Sequence, residues 1–336
     1  MSKIVVIGSN SFSGSHFINH SLKNVDCDII GISRSPEYPS LFLPYLHVNE
    51  KFLHQSSNRF RFFQFDINKQ FRAVIRFLDD FKPEIIVNFA AQGNVAKSWT
   101  KPEHWLMTNT IALANLAFSL RDKSYLKKFI QISTPEIYGF CLSMREGSGY
   151  YNPSTPYAVS KVAGDLFLNA MFNKFKFPVC FVRSTNFYGP HQQLYRIIPR
   201  TIIYLKLGKK LPLHGGGKVL RDFINIYDVI DGIGKIMRHG QMGQAYHLSS
   251  EQLIEIRQLV NTVCARMGFD FKKSVKLSNE RVDQDSAFGI SSLRAREELK
   301  WLPKFSLTEG IDGVVSWVED NWSEILKQPL KYIHKK

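Results

Sequence analysis

The sequence predicts an α/β protein, with a Rossmann-like doubly wound parallel sheet and a smaller mixed α/β lobe toward the C-terminus. Two observations lead to this fold class. Apolar strand patterns alternate with helical patterns through the first half of the 336 residues, which is typical of parallel sheets with helical crossovers. A glycine turn that begins at Gly8 stands directly between the first strand and the first helix.

Strands and helices interleave along the first half of the chain, where short apolar runs predict strands and longer helical patterns predict helices. The predicted strands are Lys3–Gly8, Cys27–Ser33, Arg61–Phe65, Pro83–Phe89, Lys128–Ser133 and Val179–Arg183. The predicted helices are Gly14–Asn24, Gln70–Phe81, Glu103–Arg121 and Pro156–Phe175.

Beyond Asn186 the pattern loosens into a glycine run at 215–217 and short helices predicted at Ile256–Met267 and Leu307–Asn321. We therefore predict a Rossmann domain from residues 1–185, with 223–248 interleaved, and a second lobe from residues 186–222 and 249–330. Because the sequence has no clean linker between these parts, the two units are expected to share an interface.

The composition is that of an ordinary soluble globular protein, with 44% hydrophobic and 22% charged residues. The apolar run Ile4–Ile7 ends at once in the glycine turn, so we expect a buried strand and not a signal peptide. No stretch reaches the length of a membrane span. The cysteines are scattered, without paired metal spacing, which predicts reduced thiols, no metal site and a cytoplasmic protein; they are Cys27, Cys141, Cys180 and Cys264.

The formal net charge of +15 suits nucleic acid, an anionic membrane or a phosphate-bearing ligand. The basic residues are spread along the chain in short pairs, such as Lys127-Lys128 and Lys209-Lys210, and form no basic helix or arginine-rich arm. This distribution favours a site for an anionic small molecule over a nucleic-acid or membrane partner.

The turn from Gly8 to Gly14 has the position of a dinucleotide-binding loop. Gly8 permits the tight turn, and the N-terminus of the following helix can receive a pyrophosphate through its free amides and its dipole. Ser11 stands where the middle glycine of the pattern is expected. We expect the cofactor to contact this turn at Gly8, Ser11, Phe12, Ser13 and Gly14.

The end of the second strand indicates which dinucleotide binds. A carboxylate that would bind the ribose hydroxyls of NAD is missing there, and Ser33 and Arg34 follow instead. An arginine suits a 2′-phosphate, so NADP is favoured over NAD. Asp66, with Ile67 after it, closes the next strand and is placed for the adenine amino group, although a turn or helix-cap role for Asp66 is almost as well supported.

Thr134 and Glu136, in one loop, and Tyr157 and Lys161, four residues apart, form the candidate catalytic set. A tyrosine and a lysine at this spacing lie on one face of a helix. The ammonium is expected to lower the pKa of the phenol, so that Tyr157 takes a proton from a hydroxyl near neutral pH.

The ordered combination of motifs resembles the extended short-chain dehydrogenases/reductases that act on nucleotide sugars, and is most similar to the NDP-hexose 4,6-dehydratases. The resemblance covers nearly the whole chain. Besides the segments above, it rests on Ala90–Ser98, Ile132–Gly139, Thr185–Gln192, Leu211–Asp222 and Leu299–Pro303.

The resemblance implies roles for the candidate residues. Tyr157 would take the C4 hydroxyl proton while a hydride passes to the cofactor, with Lys161 on the nicotinamide ribose and Thr134 on the reacting hydroxyl. Glu136 would take the C5 proton before water leaves from C6, which gives a 4-keto-6-deoxy sugar. A glutamate there favours a dehydratase, or a uronic-acid decarboxylase, over the 4-epimerases, which generally have a small hydroxyl or apolar residue.

Other family positions carry over to substrate and cofactor binding. Ala90 falls in the cofactor segment, and Pro135 stands where the dTDP-glucose type has an acidic proton donor. The resemblance implies that the nucleotide diphosphate binds Asn186 and Arg221, with Arg196 and Arg281 as further contacts. Asp222 is expected to orient Arg221.

Alternatives stay open at this point. Without an acid at Pro135, the hydride could return to C4 with release of a 5,6-ene. An epimerase, a decarboxylase, or a dinucleotide-binding regulatory or RNA-associated module are the other candidates. The resemblance also implies a homodimer that pairs the helices Glu103–Arg121 and Pro156–Phe175 of each subunit.

Overall fold

The computed structural model describes residues 2–51, 59–279 and 286–334. Its strands are β1 (Ser2–Ile7), β2 (Cys27–Ser33), β3 (Phe60–Gln64), β4 (Ile85–Asn88), β5 (Lys128–Ile132), β6 (Cys141–Met144), β7 (Val179–Ser184), β8 (Asn186–Tyr188), β9 (Leu211–His214), β10 (Leu220–Asn225), β11 (Ala245–Leu248), β12 (Leu253–Glu255), β13 (Val275–Ser278) and β14 (Ala287–Ile290).

The α-helices are α1 (Phe12–Asn24), α2 (Pro44–Lys51), α3 (Phe71–Phe81), α4 (Val95–Ser98), α5 (Pro102–Leu106), α6 (Leu113–Leu120), α7 (Pro156–Phe175), α8 (Ile197–Lys206), α9 (Ile226–His239), α10 (Ile256–Arg266), α11 (Phe271–Ser274), α12 (Leu293–Leu299), α13 (Leu307–Asp320) and α14 (Trp322–Leu326). A π-helical turn spans Met107–Ala112, and short 3-10 helices span Pro135–Tyr138 and Gly215–Gly217.

A seven-stranded sheet of order β11-β7-β5-β4-β1-β2-β3 forms the centre of the fold, and every neighbouring pair in it is parallel. The chain progresses outward from β1 in both directions, so the strand order reverses between β1 and β4. In open parallel sheets the carboxyl ends of the strands at such a reversal form a ligand-binding crevice. The predicted Rossmann-like doubly wound fold is confirmed.

Both faces of this sheet are buried, which explains the continuous apolar strands. Ile4 and Val6 of β1 pack with residues of α1 and α9 on one face. Val5 and Ile7 pack with residues of α3, α6 and α7 on the other face. Each apolar strand therefore contributes to two cores at once.

The second half of the chain builds a smaller sheet of order β12-β10-β14-β6, in which β8 also pairs with β10, and a two-stranded sheet of β13 and β9. Helices α8, α10 and α13 supply its core through residues such as Ile202, Val263 and Val314. Strand β11 lies in the central sheet, whereas β6, from the first half of the chain, lies in the smaller sheet. The division into two domains stays a prediction.

Two predicted elements, β2 and α7, agree with the structure to the residue. The predicted helix Glu103–Arg121 is helical without a break from residue 102 to residue 120, but a π turn at Met107–Ala112 separates its two α-helical parts, α5 and α6. At this turn Asn109 bonds the backbone of Gln92, through its side-chain oxygen (2.8 Å) and nitrogen (3.1 Å). A Cβ on Gly164 of α7 would lie 2.6 Å from the Asn109 carbonyl oxygen, so α7 packs closely here.

Helix α9, which we did not predict, contains Gly232 and Gly234, and glycines weaken a helical pattern. The fold needs Gly232 because an added Cβ would lie 2.7 Å from Leu248 and 3.0 Å from Trp301. Gly232 of helix α9 thus serves tertiary packing, and packing of this kind is invisible in a single sequence.

We expect Gly14→Ala to destabilise the protein by about 1–3 kcal/mol, because the new Cβ would lie 2.4 Å from the Gly8 carbonyl oxygen, a backbone atom that cannot rotate away. The matched control is Gly313→Ala in α13, where no described atom lies within 4 Å of the added Cβ. A glycine-to-alanine change at such an open helical site stabilises by roughly 0.5–1 kcal/mol. Urea unfolding of both variants measures the difference, and equal effects would contradict it.

Candidate active site

The loop after β5 carries the first two candidate catalytic residues. The Thr134 hydroxyl accepts a hydrogen bond from the backbone N–H of Glu136 (3.3 Å) and caps the short 3-10 helix Pro135–Tyr138. Thr134 and Pro135 are buried, and Glu136 is half-buried. The cap holds the Thr134 and Glu136 side chains in a fixed relation at the carboxyl end of the sheet.

Helix α7 brings the other two candidates to this loop. Thr155 caps its N-terminus by accepting from the backbone N–H of Ala158 (3.1 Å), and Pro156 opens the first turn. Lys161 Nζ then donates to the carbonyl oxygen of Ile132, at the end of β5 (2.7 Å). The side chain of Tyr157 hydrogen-bonds that of Thr134. The predicted set therefore lies together in one recess.

The electrostatics of the recess depend mostly on burial. Burial raises the pKa of Tyr157, the charge of Glu136 raises it further, and the hydrogen bond from Thr134 and the charge of Arg196 lower it. In the polypeptide by itself the pKa of Tyr157 thus lies above its ordinary value, and the expected lowering of this pKa by Lys161 stays a prediction. Burial also lowers the pKa of Lys161 to about 8, while the nearby Asp165 carboxylate raises it.

A cavity of about 200 Å³ lies at the carboxyl ends of β1 to β4, where the strand order reverses. Most of the predicted cofactor contacts border it: Gly8, Ser11, Ser33, Arg34, Asp66, Ile67 and Ala90. Three others, Phe12, Ser13 and Gly14, belong to the first turn of α1 and are not among the residues that border the cavity. Phe12 packs against His16 and Phe187. Residues that we missed also border the cavity: Asn10, Tyr38, Asn68, Thr108 and Gln193.

The glycine turn fits a dinucleotide. Gly8 has φ +85°, and a Cβ there would lie 2.6 Å from the backbone nitrogen of Ala90, so only glycine lets the chain cross the switch point this closely. Ser11, in place of a glycine, accepts from the Gly14 N–H (3.0 Å) as the N-cap of α1. The N-terminus of α1 is thus preserved as a phosphate-binding end, and the residues present fit the cofactor.

The adenosine side of the cavity has its own hydrogen bonds. Ser33 Oγ accepts from the backbone N–H of Asn10 (3.0 Å), so this hydroxyl also ties β2 to the glycine turn. Asp66 Oδ1 accepts from the backbone N–H of Asn68 (2.8 Å). Asp66 is therefore a turn residue that also borders the cavity. This position is compatible with both predicted roles, a turn residue and a contact of the adenine amino group.

The remaining predicted substrate residues lie in the second half of the chain. Asn186 Nδ2 donates to the carbonyl oxygen of Asp222 (3.2 Å), and the Arg221 guanidinium lies 4.4 Å from the centre of the Phe288 ring. Arg196 is exposed at the start of α8. Arg281 lies outside the described residues.

The expectation that Asp222 orients Arg221 is wrong. The buried Asp222 carboxylate instead accepts from the hydroxyls of Ser249 and Ser250 and from the backbone N–H of Glu251. It fixes the segment that follows β11. Sequence spacing could not reveal this role, because the hydroxyls that Asp222 binds lie 27 and 28 residues away.

The last described residues cross near the cavity, which the sequence did not reveal. The Tyr332 ring packs edge-on against Tyr195, with 5.3 Å between ring centres. His334 stacks on Trp105 and shares a 3.0 Å hydrogen bond with His104. This segment thus contacts both the loop before α8 and helix α5.

No group of His, Cys, Asp or Glu side chains within residues 2–51, 59–279 and 286–334 is arranged to hold a metal ion. Across the same described part of the chain, none of the helices has the length and apolar character needed to cross a membrane.

Comparison with known proteins agrees with this geometry. Residues 4–249 match the model of the NAD dependent epimerase/dehydratase family. The chain belongs to this family. Membership makes it an NAD-dependent enzyme of the epimerase/dehydratase type, which confirms the resemblance inferred from the motifs.

Among relatives in the NAD dependent epimerase/dehydratase family, the chain is 27% identical over 341 residues to human dTDP-D-glucose 4,6-dehydratase, and the match covers 97% of this chain and 93% of the human protein. It is also 27% identical over 271 residues to dTDP-glucose 4,6-dehydratase of Xanthomonas campestris, which covers 74% of this chain and 76% of that protein.

Solved structures of the family share the fold. The dTDP-glucose 4,6-dehydratase of Streptomyces venezuelae, solved with NAD, has a TM-score of 0.85 and 26% identity, and covers 96% of this chain and 98% of its own. A UDP-glucuronic acid 4-epimerase of Bacillus cereus, with a TM-score of 0.83, 22% identity and coverage of 95% and 99%, matches in fold alone. The neighbours were solved with NAD, which lends no support to the expected preference for NADP.

Proposed function

We propose that the protein is a nucleotide-sugar 4,6-dehydratase, which oxidises C4, eliminates water across C5 and C6, and returns the hydride to C6 to give an NDP-4-keto-6-deoxyhexose. The observation that carries the proposal is the carboxylate of Glu136 in the same recess as Thr134, Tyr157 and Lys161. A 4-epimerase needs no such base, because it does not remove the C5 proton. The names of the human, Xanthomonas and Streptomyces relatives support the same reaction.

In the first step Tyr157 accepts the C4 hydroxyl proton, and Thr134 hydrogen-bonds the reacting oxygen. The oxidised nicotinamide, when bound, supplies the hydride acceptor and a positive charge that favours the phenolate. Lys161 would hold the nicotinamide ribose and would add a second cation. The raised pKa of Tyr157 in the polypeptide alone makes these positive charges necessary for proton transfer near neutral pH.

In the second step Glu136 takes the C5 proton, which the new C4 ketone has made acidic. Pro135 has no proton to give, so Glu136 itself passes its proton to the departing C6 hydroxyl, and water leaves. The bound cofactor would supply the hydride for C6, and C5 would regain a proton from Tyr157 or from solvent. One carboxylate thus serves as base and then as acid.

Substrate binding falls to the second part of the chain. We infer that residues 186–222 and 249–330 form the lobe that holds the nucleotide sugar against the Rossmann domain, with the diphosphate near Asn186 and Arg221. A guanidinium is the natural partner of a diphosphate. Arg196 is close enough to the recess for its charge to affect Tyr157, which supports a contact with the bound sugar nucleotide.

A second outcome is favoured by one observation, the buried Pro135 in the place of an acid. Without efficient protonation of the departing hydroxyl, the hydride returns to C4 and a 5,6-ene is released. Both outcomes remove one water, but only the 4,6-dehydratase yields a ketone and a methyl group.

The test is mass spectrometry and NMR of the products from UDP-, dTDP-, GDP- and CDP-hexoses. We expect one substrate to lose one water and to gain solvent deuterium at C5 in D₂O. Glu136→Gln should slow water loss by roughly 100- to 10,000-fold. The variant should still oxidise the sugar at C4, which is seen as reduced cofactor. Tyr157→Phe, the matched control, should block cofactor reduction as well. Isomerised sugar without water loss would show an epimerase instead.

The NADP preference drawn from the sequence stays a prediction that depends on Arg34. If the preference holds, Arg34→Ala weakens NADP binding by about 10- to 100-fold, because this is the effect of losing hydrogen bonds to a charged group. The same change alters NAD binding by less than about twofold. Titration calorimetry measures both. Arg61→Ala on β3, whose guanidinium pairs with Asp28 (3.2 Å), is the control. Equal losses for the two cofactors would refute a 2′-phosphate contact.

We also propose a homodimer, because one face carries a set of exposed apolar side chains. They come from α4 to α6 and from α7, and they are Trp99, Leu106, Met107, Ile111, Phe118, Val159 and Leu166. Helix faces of this kind are commonly covered by a partner. A second copy of the chain would pair the helices that the resemblance predicts.

Replacing Ile111 and Leu166 together by Glu should weaken self-association by about 100-fold or more, because it buries charge in an apolar interface. Sedimentation equilibrium checks this result. Leu302→Glu, at a similarly exposed apolar residue outside the set, should leave the dimer intact. A wild-type protein that sediments as a monomer would end the proposal.

A further inference from the structure

A fully buried carboxylate lies behind the recess, and the steps above do not use it. Asp165 follows Lys161 by one turn of α7 and has no exposed surface. Its Oδ2 accepts from the Ser133 hydroxyl (2.7 Å) and from Arg183 Nη2 (3.1 Å). A buried charge destabilises the folded protein unless it is paired and hydrogen-bonded. The burial of this carboxylate therefore calls for an explanation.

The hydrogen bonds beyond Arg183 fix the charge of the whole cluster. Arg183 Nη1 donates to Tyr138 Oη (2.6 Å), which shares a 2.8 Å bond with His247 Nε2. His247 Nδ1 lies 3.0 Å from the Ser291 carbonyl oxygen. Since Nδ1–H must donate to that carbonyl, Nε2 is the acceptor, and the Tyr138 hydroxyl donates to it. Burial keeps His247 neutral and lowers its pKa to about 3.

The charges around Lys161 can therefore be named. Asp165 lies on the same helix, Arg183 comes from β7, and Glu136 comes from the loop after β5. Tyr157, Tyr138 and His247 are neutral in the polypeptide alone. Asp165 is the carboxylate that opposes the effect of burial on the pKa of Lys161, while the Glu136 charge bears on Tyr157.

We propose that Asp165 is a positioning residue of the active site, whose carboxylate keeps Lys161 in its charged ammonium form and holds the end of β5 in place through Ser133. The inference rests on the proposed function, in which Lys161 acts as a cation beside Tyr157. Ser133 is the residue directly before Thr134, so one carboxylate links the helix that carries Tyr157 and Lys161 to the loop that carries Thr134 and Glu136.

The two roles make different predictions. Burial alone lowers the pKa of Lys161, and a carboxylate within about 4–6 Å of a cation typically shifts a pKa by 1–3 pH units in the opposite direction. Without the Asp165 charge, Lys161 would lose its proton below pH 8 and would be largely neutral under physiological conditions. Loss of the Ser133 hydrogen bond alone changes no charge.

The experiment is a ¹³C NMR titration of the full-length protein labelled with [ε-¹³C]lysine, in which Lys161→Arg assigns the Lys161 signal. Asp165→Asn keeps the shape and an acceptor oxygen but removes the charge, and we expect it to lower the Lys161 midpoint by about one pH unit or more. Ser133→Ala, which removes the hydrogen bond and keeps the charge, should leave the midpoint within about 0.3 unit.

Arg183→Gln provides a second measurement of the Lys161 midpoint, which does not depend on whether the Asp165 variant folds. It removes a neighbouring cation, so the Lys161 midpoint should rise. Unchanged midpoints in both Asp165→Asn and Arg183→Gln would overturn the proposal. Because the titration needs no sugar substrate, a failure of the dehydratase assignment leaves its result intact.

The pH dependence of cofactor reduction supplies the link to activity. In the wild type, reduction should be lost as the pH rises through the pKa of Lys161, and Asp165→Asn should move this loss to lower pH by the same amount as the NMR midpoint. In Ser133→Ala the rate should fall without any change in the pH profile. A loss of activity in Asp165→Asn that is equal at every pH would mean a purely structural role.

Discussion

The hydrogen bond from Lys161 Nζ to the carbonyl oxygen of Ile132 sets the distance between α7 and the end of β5. The catalytic half of the candidate site depends on this approach. The loop that begins at Ser133 carries Thr134 and Glu136, and the first two turns of α7 carry Tyr157 and Lys161. This contact, the bond between Tyr157 and Thr134 and the bond from Ser133 to Asp165 together make one recess out of two sequence segments.

The close approach of α7 to the end of β5 buries charged side chains. Because these charges need partners inside the protein, a polar network surrounds them. Lys161, Asp165 and Arg183 are each at least nine-tenths buried, so their charges must be balanced within the protein. Tyr138, His247 and Ser133 supply further hydrogen bonds in this cluster, while Asp165 Oδ1 and Arg183 Nε have no partner among the described residues. The resulting low-dielectric recess strengthens every charge interaction in it, which suits a proton transfer between a phenol and a sugar hydroxyl.

The cofactor half of the site follows a different constraint. There the close passage of Gly8 by Ala90 and the capping of α1 by Ser11 leave room for a phosphate at a helix N-terminus. The two halves meet because β1, β4 and β5 are adjacent and parallel, so that all their carboxyl ends lie on one edge. A net charge of +15 is in keeping with a site for a dinucleotide and a diphosphate sugar.

The sequence by itself determined the fold class, the bounds of β2 and α7, the glycine turn and the four candidate catalytic residues, because these depend on local periodicity and on motifs that a single chain displays. Only the tertiary structure decided the π turn at Asn109, the glycine-bearing helix α9, the partners of Asp222, and the raised pKa of Tyr157. Each of these depends on atoms that are distant in sequence. Asp165 shows this most clearly, because an acidic residue in a helix is expected to be exposed. Its burial depends on Ser133 and Arg183, which come from the ends of two different strands.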